Sequence, residues 1–424
     1  MTNTFASLRR LTALLCCGAL LTASGCSGSE PVVTEQIQQT EISLSWWGND
    51  ARNKYTIQAV EKFEELHPEI KVKCSYSEWS GYETRNRIQM ISDTEADVMQ
   101  INYGWLEQYS SDGEGYYDIY NLNAMDISQF TEDYLRYGLK EGHLNAIPIA
   151  MNAQTVYINK TIYDSYGLDV PKTWDDLFHA AEVMKADDIY PLSAASKAMW
   201  LYLITYAEQS TGKAFIDSST GKLNFNAHDL KVMIEFYQRL VAEHVMPQVD
   251  FYQRLELDNE TYAGSVAWIS DAVNYFGDAI SHGREIVAAD YTTMDGNNVG
   301  QGWYAKPATM YAVSKNTAHP EESAILLNFL MNSTEMAELQ GIEKGIPLSA
   351  SAQDVLKKEN VLTGIQYEAS QKMEGCTLGE LNPILETSGM INDFFTICND
   401  VIYEVKDIDT ASQELYAAVK SYFK

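Results

Sequence analysis

Residues 42–76, which read ISLSWWGNDARNKYTIQAVEKFEELHPEIKVKCSY, combine two strand patterns with a helical pattern between them. Apolar and polar residues alternate from Ile42 to Trp46 and again from Ile70 to Tyr76, as in half-buried strands. From Ile57 to Leu66 apolar residues recur every three or four positions, and His67-Pro68 ends that helix. This order predicts a βαβ unit and therefore an α/β fold with a parallel sheet.

A third strand is predicted from Asp97 to Ile101, after a second helical segment that contains Ile88 and Met90. In parallel α/β sheets, ligands bind beyond the carboxyl ends of the strands. The residues at or just after the three predicted strand ends include Trp46, Trp47, Trp79 and Trp105. The sequence therefore predicts that several tryptophans lie at one rim of the sheet.

The first 25 residues have the composition of an export signal. Two arginines precede an apolar run from Leu11 to Leu21, which is too short to span a bilayer. Ala23-Ser24-Gly25 then leads to Cys26, an order that resembles the lipobox of bacterial lipoproteins, in which the cysteine carries the lipid. An ordinary cleaved signal with an incidental cysteine is the alternative. We predict a lipoprotein signal peptide at 1–25, a tether at 26–41, and a folded part that is lipid-anchored at the extracellular face of the cell membrane.

Charge and length narrow the class of protein further. The chain has 30 basic and 59 acidic residues, and cleavage after residue 25 removes two arginines and no acid. This acidity argues against binding to nucleic acid and against docking on anionic lipid headgroups. The remaining chain of about 400 residues exceeds what one hydrophobic core usually serves, which predicts two lobes. We expect a monomer.

The cysteines give no metal-binding pattern, because no CxxC or Cys/His spacing is present. We therefore expect no metal and no cofactor. Cys376 and Cys398 are open to two interpretations, a disulfide in an oxidising compartment or buried thiols.

A set of further segments occurs in a fixed order along most of the chain. They are Trp46-Trp47-Gly48, Ala59 to Val72, Asp97 to Gln100, Ile147-Pro148 to Asn159-Lys160, Pro171 to Leu177, Ala312 to Lys315 with the helix after Pro320, and Gly345-Ile346-Pro347. Together they resemble family 1 extracellular solute-binding proteins, the maltose-binding-protein-like group. The resemblance implies a two-lobed periplasmic-binding-protein-like fold with a hinge, and the function of delivering a carbohydrate to the transmembrane subunits of an ABC permease.

The resemblance also implies discontinuous lobes, because the chain of that family crosses between its lobes three times. The implied crossings lie near Ala150 to Ala153, near Ala305 to Tyr311 and near Ile346 to Leu348. The N-terminal lobe would comprise residues 42–151 and 310–346, and the C-terminal lobe residues 152–309 and 347–424. Such lobes close on the solute by hinge bending.

Aromatic side chains favour an oligosaccharide as the solute. Sugar rings have faces of C–H groups that lie well on flat aromatic rings, while their hydroxyls need fixed polar partners. The chain contains 27 tyrosines and 8 tryptophans. The predicted ligand-binding residues are Trp46, Trp47, Arg52, Trp79, Arg85, Asn102, Trp105, Asn152, Trp268, Asp271 and Trp303. We predict that the tryptophans among them line one cleft between the lobes.

The two arginines in that set come from a narrower resemblance. Trp46-Trp47-Gly48 followed by Arg52, with Tyr76 to Gly81 and then Arg85, resembles the oligogalacturonide-binding branch more than the maltose-binding one. This implies a solute with carboxylates, because a guanidinium offers a planar fork to a carboxylate. The alternative is that both arginines are surface or salt-bridge residues.

Two other classes of function stay open. Paired carboxylates could make a glycosidase, but no GxSxG, HExxH, Walker A or GxGxxG pattern is present, so we predict no enzymatic activity. The second alternative is a binding protein of the same fold for a peptide, polyamine or phosphate ester, which the tryptophans disfavour.

Overall fold

The structure, a computed structural model, describes residues 39–248, 261–297 and 299–423. The predicted signal peptide, Cys26 and most of the predicted tether lie outside the described residues. The first strand begins at Thr40, two residues before the predicted start of the folded part. Within the described ranges, no helix is both long enough and apolar enough to cross a bilayer.

Strands and helices alternate through the first half of the described chain, and helices dominate the second half. The strands are β1 (Thr40–Trp47), β2 (Ile70–Ser77), β3 (Val98–Ile101), β4 (Leu139–Lys140), β5 (His143–Leu144), β6 (Ile147–Asn159), β7 (Ile216–Asp217), β8 (Lys222–Leu223), β9 (Gly264–Trp268), β10 (Ile286–Ala288), β11 (Tyr304–Val313) and β12 (Gly379–Glu380). The helices are α1 (Asp50–Leu66), α2 (Trp79–Ile91), α3 (Gly104–Ser110), α4 (Glu132–Leu135), α5 (Lys160–Ser165), α6 (Trp174–Met184), α7 (Ser196–Thr211), α8 (Ala227–Ala242), α9 (Ala272–Ser281), α10 (Pro320–Asn332), α11 (Thr334–Gln340), α12 (Ala350–Lys358), α13 (Gly364–Glu374), α14 (Ser388–Ile402) and α15 (Ile408–Lys420).

One large mixed sheet runs through the molecule. Its strand order is β10-β6-β11-β3-β1-β2, with β9 paired to β6 and β12 paired to β11. Strand β1 is parallel to β2 and β3, and α1 connects β1 to β2, so the predicted βαβ unit is confirmed. Strand β11 is antiparallel to both β3 and β6.

Buried side chains form two large hydrophobic clusters. Leu44 and Phe63 belong to the first cluster, and Trp200 belongs to the second. Strand β6 is buried along its whole length and contributes to both clusters, for example through Ile147 to the first and Ile158 to the second. The chain therefore has the predicted two-lobed α/β fold, with two cores that share one strand.

The three segments predicted to cross between the lobes lie side by side. Strands β6 and β11 pair there, and the amide of Leu348 donates to the carbonyl of Ile149 at 3.0 Å. Gly345 has a φ of +103°, and a Cβ at this position would lie 2.7 Å from the Cβ of Ala150. Only glycine fits this conformation and this approach.

The lobe boundaries, 42–151 with 310–346 and 152–309 with 347–424, stay predictions. Helix α12 follows residue 347, so the prediction assigns it to the C-terminal lobe. It packs against α10 and α11, which the prediction assigns to the N-terminal lobe. The first hydrophobic cluster likewise takes in Phe276 and Ile286 from the middle of the chain.

Two helix starts follow their sequence signals. Helix α6 has the capping box that Thr173 and Asp176 predict. The Thr173 hydroxyl accepts from the Asp176 amide at 3.1 Å, and the Asp176 carboxylate accepts from the Thr173 amide at 2.8 Å. Helix α10 begins at Pro320, with Glu321 and Glu322 in the first turn, where negative charge favours the helix dipole.

The described part of the chain contains three cysteines. Cys74, Cys376 and Cys398 are thiols, so Cys376 and Cys398 form no disulfide. Cys398 is buried, as the second alternative predicted, whereas Cys376 is half-buried. No group of three His, Cys, Asp or Glu side chains in this part of the chain is arranged to hold a metal ion.

Candidate functional site

Three of the predicted tryptophans meet at the carboxyl end of the parallel strands. We call Trp47, Trp79 and Trp105 the tryptophan cluster. The ring centroids of Trp47 and Trp79 are 4.9 Å apart, and the rings of Trp79 and Trp105 stack at 5.7 Å with 18° between their planes. Trp79 is 38% exposed, Trp47 is half-buried and Trp105 is buried. Trp79 is therefore the member that a solute can reach most easily.

Trp47 faces the side of the sheet that is covered by α2, as the contacts of Ser45, two positions earlier on β1, show. The hydroxyl of Tyr82, on α2, lies 3.1 Å from that of Ser45 and donates to the carbonyl of Gln100 at 2.7 Å. Ser45 and Trp47 share one face of β1, because alternate side chains of a strand face the same side. The rings of Tyr82 and Trp105 also stack, at 6.0 Å.

Trp46 faces the other side of the sheet and is fully buried, so the prediction that it lines a cleft is wrong. Its indole N–H donates to the side-chain oxygen of Asn53 on α1 at 3.0 Å, and its ring stacks on Tyr76 at 4.8 Å. Neighbouring residues of a strand point to opposite faces, so Trp46 and Trp47 cannot serve the same surface.

Trp303 is also a core residue, and the prediction that it lines the cleft needs the same correction. It is 1% exposed, and its indole N–H donates to the carbonyl of Thr292 at 3.0 Å. Its ring contacts Tyr202 and Tyr291 in the second hydrophobic cluster. The preceding Gly302 has a φ of +76° and approaches Thr205 closely, which turns the chain inward.

Trp268 and Asn152 lie on neighbouring strands, β9 and β6. Asn152 forms two hydrogen bonds with Ser270, donating to its hydroxyl at 2.9 Å and accepting from its amide at 3.2 Å. Asn152 thus fixes the turn after Trp268, and its amide group is committed to that role. Asp271 is half-buried in the same turn, immediately before α9.

Beside Trp268 lie three charged residues that the sequence did not single out. We call Lys197, Lys306 and Glu386 the charged triad. Glu386 accepts from Lys306 at 2.6 Å and from Lys197 at 3.1 Å, and the Lys306 ammonium is 4.8 Å from the ring centroid of Trp268. A lysine inside the apolar strand Tyr304–Val313 was the available signal.

Burial and charge act in opposite directions within the triad. Burial lowers the pKa of Lys306, and the Glu386 carboxylate partly offsets that effect. Burial alone would raise the pKa of Glu386, but the two lysines hold it below its ordinary value. The Lys306–Glu386 pair thus offsets part of the effect of burial on the pKa of each of its two members.

The segment after β12 connects the charged triad to the end of β3. Tyr103 donates to the Glu380 carboxylate, and burial followed by this bond raises the pKa of Tyr103. A Cβ on Gly104 would lie 3.5 Å from Pro383, three residues before Glu386. Asn102 accepts from the Gly104 amide at 2.9 Å and so shapes this turn. The tryptophan cluster and the triad thus flank one segment.

The two predicted arginines have different contacts. Arg52 donates to the carbonyl of Glu343 at 2.9 Å, and its Nε lies 3.4 Å from that residue's carboxylate, as the salt-bridge alternative predicted. Arg85, on α2, lies 5.6 Å from the Tyr82 ring. Two of the Arg85 nitrogens, Nε and Nη2, are buried without a hydrogen-bond partner among the described residues.

This fold is that of an extracellular solute-binding protein. Residues 47–337 match the family described as bacterial extracellular solute-binding protein, and the chain belongs to that family. Its relatives include extracellular-binding proteins of ABC transporters.

Three known proteins illustrate what this chain is similar to. An ABC transporter extracellular-binding protein of Pyrococcus horikoshii is 25% identical, covering 98% of this chain and 97% of its own. A periplasmic oligogalacturonide binding protein from Yersinia enterocolitica is 29% identical over 91% of this chain and 100% of its own, with a TM-score of 0.78, and 0.77 for its complex with saturated digalacturonic acid. A designed cysteine esterase is 28% identical over 90% of this chain and 97% of its own, with a TM-score of 0.83. The activity of that esterase was introduced by design, so it does not indicate a natural enzyme.

Proposed function

We propose that this protein captures an oligosaccharide between the tryptophan cluster and Trp268, and delivers it as a monomer to the transmembrane subunits of an ABC permease. The observation that carries the proposal is the cluster itself, in which the exposed Trp79 stacks on Trp105 beside Trp47. A large, partly exposed aromatic surface at the carboxyl end of a parallel sheet suits the C–H face of a sugar ring.

We propose further that the oligosaccharide contains uronate residues. The support is the similarity, over 91% of this chain, to a protein whose structure holds digalacturonic acid. A cleft shielded from water strengthens pairing between a carboxylate and a basic side chain, so an acidic sugar can be selected even by an acidic protein.

Calorimetry on the mature domain tests the capture of an oligosaccharide. We expect galacturonate oligomers to bind, and a ligand at 100 times its Kd to stabilise the domain by about 2.7 kcal/mol in a thermal-shift assay. Replacing Trp79 with alanine should weaken binding about tenfold or more, because an aromatic anchor is lost. Tyr403→Ala is the matched control, because Tyr403 is a similarly exposed aromatic residue at the end of α14.

The same screen separates the alternatives. If neutral oligosaccharides bind and galacturonate oligomers do not, the uronate proposal fails while sugar capture stands. If only a peptide, polyamine or phosphate ester stabilises the domain, sugar capture itself fails. Incubation with bound oligosaccharide should produce no new reducing ends, and their appearance would indicate a glycosidase.

We propose that Cys26 carries the lipid anchor. The variant Cys26→Ser should appear in the soluble fraction of the culture and bind its solute as the wild type does, because acylation needs the Cys26 sulfur. Cell fractionation followed by calorimetry measures both properties. Continued membrane association of Cys26→Ser, or loss of its solute binding, contradicts the proposal.

A further inference from the structure

The charged triad carries an excess positive charge. Its two lysines share one carboxylate, because Glu386 accepts from both Lys306 and Lys197. Other ion-paired lysines have carboxylates that they do not share with a second lysine, as Lys62 has Glu65 at 2.7 Å and Lys160 has both Asp164 and Glu285. In a protein with 59 acidic and 30 basic residues, a cluster with a net charge of +1 is unusual.

Among the residues that the structure describes, no second carboxylate compensates that charge at Lys306. The charged groups that act on its ammonium are Glu386 and Lys197, and Lys197 repels it. Arg52 differs in this respect, since Glu343 contacts it through both a carbonyl and a carboxylate. Lys306 is therefore a half-buried cation that an additional anion would stabilise.

The charged triad lies beside Trp268 and is partly exposed. The side chain of Lys306 is 17% exposed and that of Glu386 is 20% exposed, so both retain contact with solvent. The ammonium lies 4.8 Å from the centroid of the Trp268 ring. A sugar ring that contacts Trp268 thus brings its substituents within reach of this ammonium.

We propose that Lys306, oriented by Glu386, binds a carboxylate of the solute, so that the charged triad selects acidic sugars against neutral ones. The assignment rests on the proposed capture of an oligosaccharide beside Trp268. Glu386 holds the Lys306 ammonium from one side. The remaining formal charge of +1 on the triad attracts a carboxylate of the solute. A half-buried cation that is already oriented loses little entropy on binding an anion.

The competing explanation is a purely structural triad, which ties α7, β11 and the segment before α14 together. The two explanations differ in what they predict for ligand charge. If the triad is purely structural, changing it alters the affinity for all solutes alike. If Lys306 binds a carboxylate, changing it alters the affinity for charged solutes only.

Calorimetry with digalacturonate and its dimethyl ester decides between them. The ester has the same rings and no charge. We expect Lys306→Met to lower the affinity for digalacturonate about 10- to 100-fold, the usual effect of losing a charged hydrogen-bond partner. The affinity for the ester should change by less than about threefold. The matched control is Lys62→Met, which removes an exposed lysine of α1 and should leave both affinities unchanged.

A second variant serves if Lys306→Met does not fold. Lys197 is 44% exposed, and Lys197→Met reduces the net charge of the triad from +1 to zero while leaving the Lys306 pair intact. We expect a smaller but still selective loss of digalacturonate affinity. Equal losses for acid and ester, in either variant, overturn the assignment.

Failure of this inference is distinguishable from failure of the proposed function. If the wild type binds neutral oligosaccharides at least as tightly as acidic ones, the role of Lys306 is refuted and sugar capture stands. If no oligosaccharide binds at all, both are refuted.

Discussion

At the scale of single residues, Lys344 is a lysine whose side chain is buried and whose pKa is strongly lowered. It is 3% exposed, donates to the hydroxyl of Tyr311 at 3.0 Å, and lies near the rings of Tyr311 and Tyr55. Burial, and then repulsion from Arg52, lowers the pKa of Lys344 to about 7. The ammonium of this lysine is therefore easily neutralised in the folded protein.

This depressed pKa makes stability depend on pH. Between about pH 7 and the usual lysine value of 10.5, the unfolded chain holds a proton that folded Lys344 releases, so the free energy of unfolding rises with pH across this window. We expect Lys344→Met to increase the free energy of unfolding at pH 7 on the order of 3 kcal/mol, and the gain to shrink towards pH 10. Urea denaturation of the Cys26→Ser form at several pH values measures this difference.

The control for this prediction is Lys62→Met, which removes an exposed lysine and should change the free energy of unfolding very little at any pH. A loss of stability in Lys344→Met that is equal at pH 7 and pH 9 would mean that its packing matters more than its charge.

At the scale of elements, helix α6 depends on a local device. The capping box of Thr173 and Asp176 satisfies two amides at the start of the helix. We expect Thr173→Ala to lower the free energy of unfolding by about 1 kcal/mol. Thr173→Ser should lower the free energy of unfolding much less, because serine caps a helix equally well. Chemical denaturation of the three proteins checks the order. If alanine and serine are equally destabilising, the methyl group and not the hydroxyl is what matters.

Local signals of this kind explain what the sequence could predict. The capping box, the Pro320 start of α10 and the βαβ unit are encoded within a few residues or by a simple period, and the structure has all three. The charged triad joins residues 80 and 189 positions apart, so no spacing rule could indicate it. Trp46 was misplaced although its alternation with Ile42 and Leu44 already put it on the buried face of β1. Trp303 was misplaced because it precedes β11, where no alternation gives the direction of its ring.

At the scale of the whole molecule, the site has contributions from distant parts of the chain. Trp79 follows β2, whereas Trp268 ends β9, and a solute that touches both holds the two regions together. We expect the radius of gyration to fall when saturating solute is added. A solute that binds the closed state more tightly than the open state shifts the protein towards the closed state. Small-angle X-ray scattering measures this radius.

The matched variant for this experiment is Trp268→Ala. Since it removes the contact on one side, it should need a higher solute concentration to produce the same decrease in the radius of gyration. An unchanged radius in the wild type at saturation would show that binding does not require closure.

The long strand β6 has a consequence for the exchange of amide hydrogens with solvent. All of its residues, from Ile147 to Asn159, are buried, and it pairs with β11, β9 and β10 along its length. An amide in such a strand meets deuterium only when the strand leaves the sheet, and that event removes a shared wall from both cores. Mass spectrometry should therefore find β6 among the last segments to take up deuterium, at a rate that reports the opening of both lobes at once.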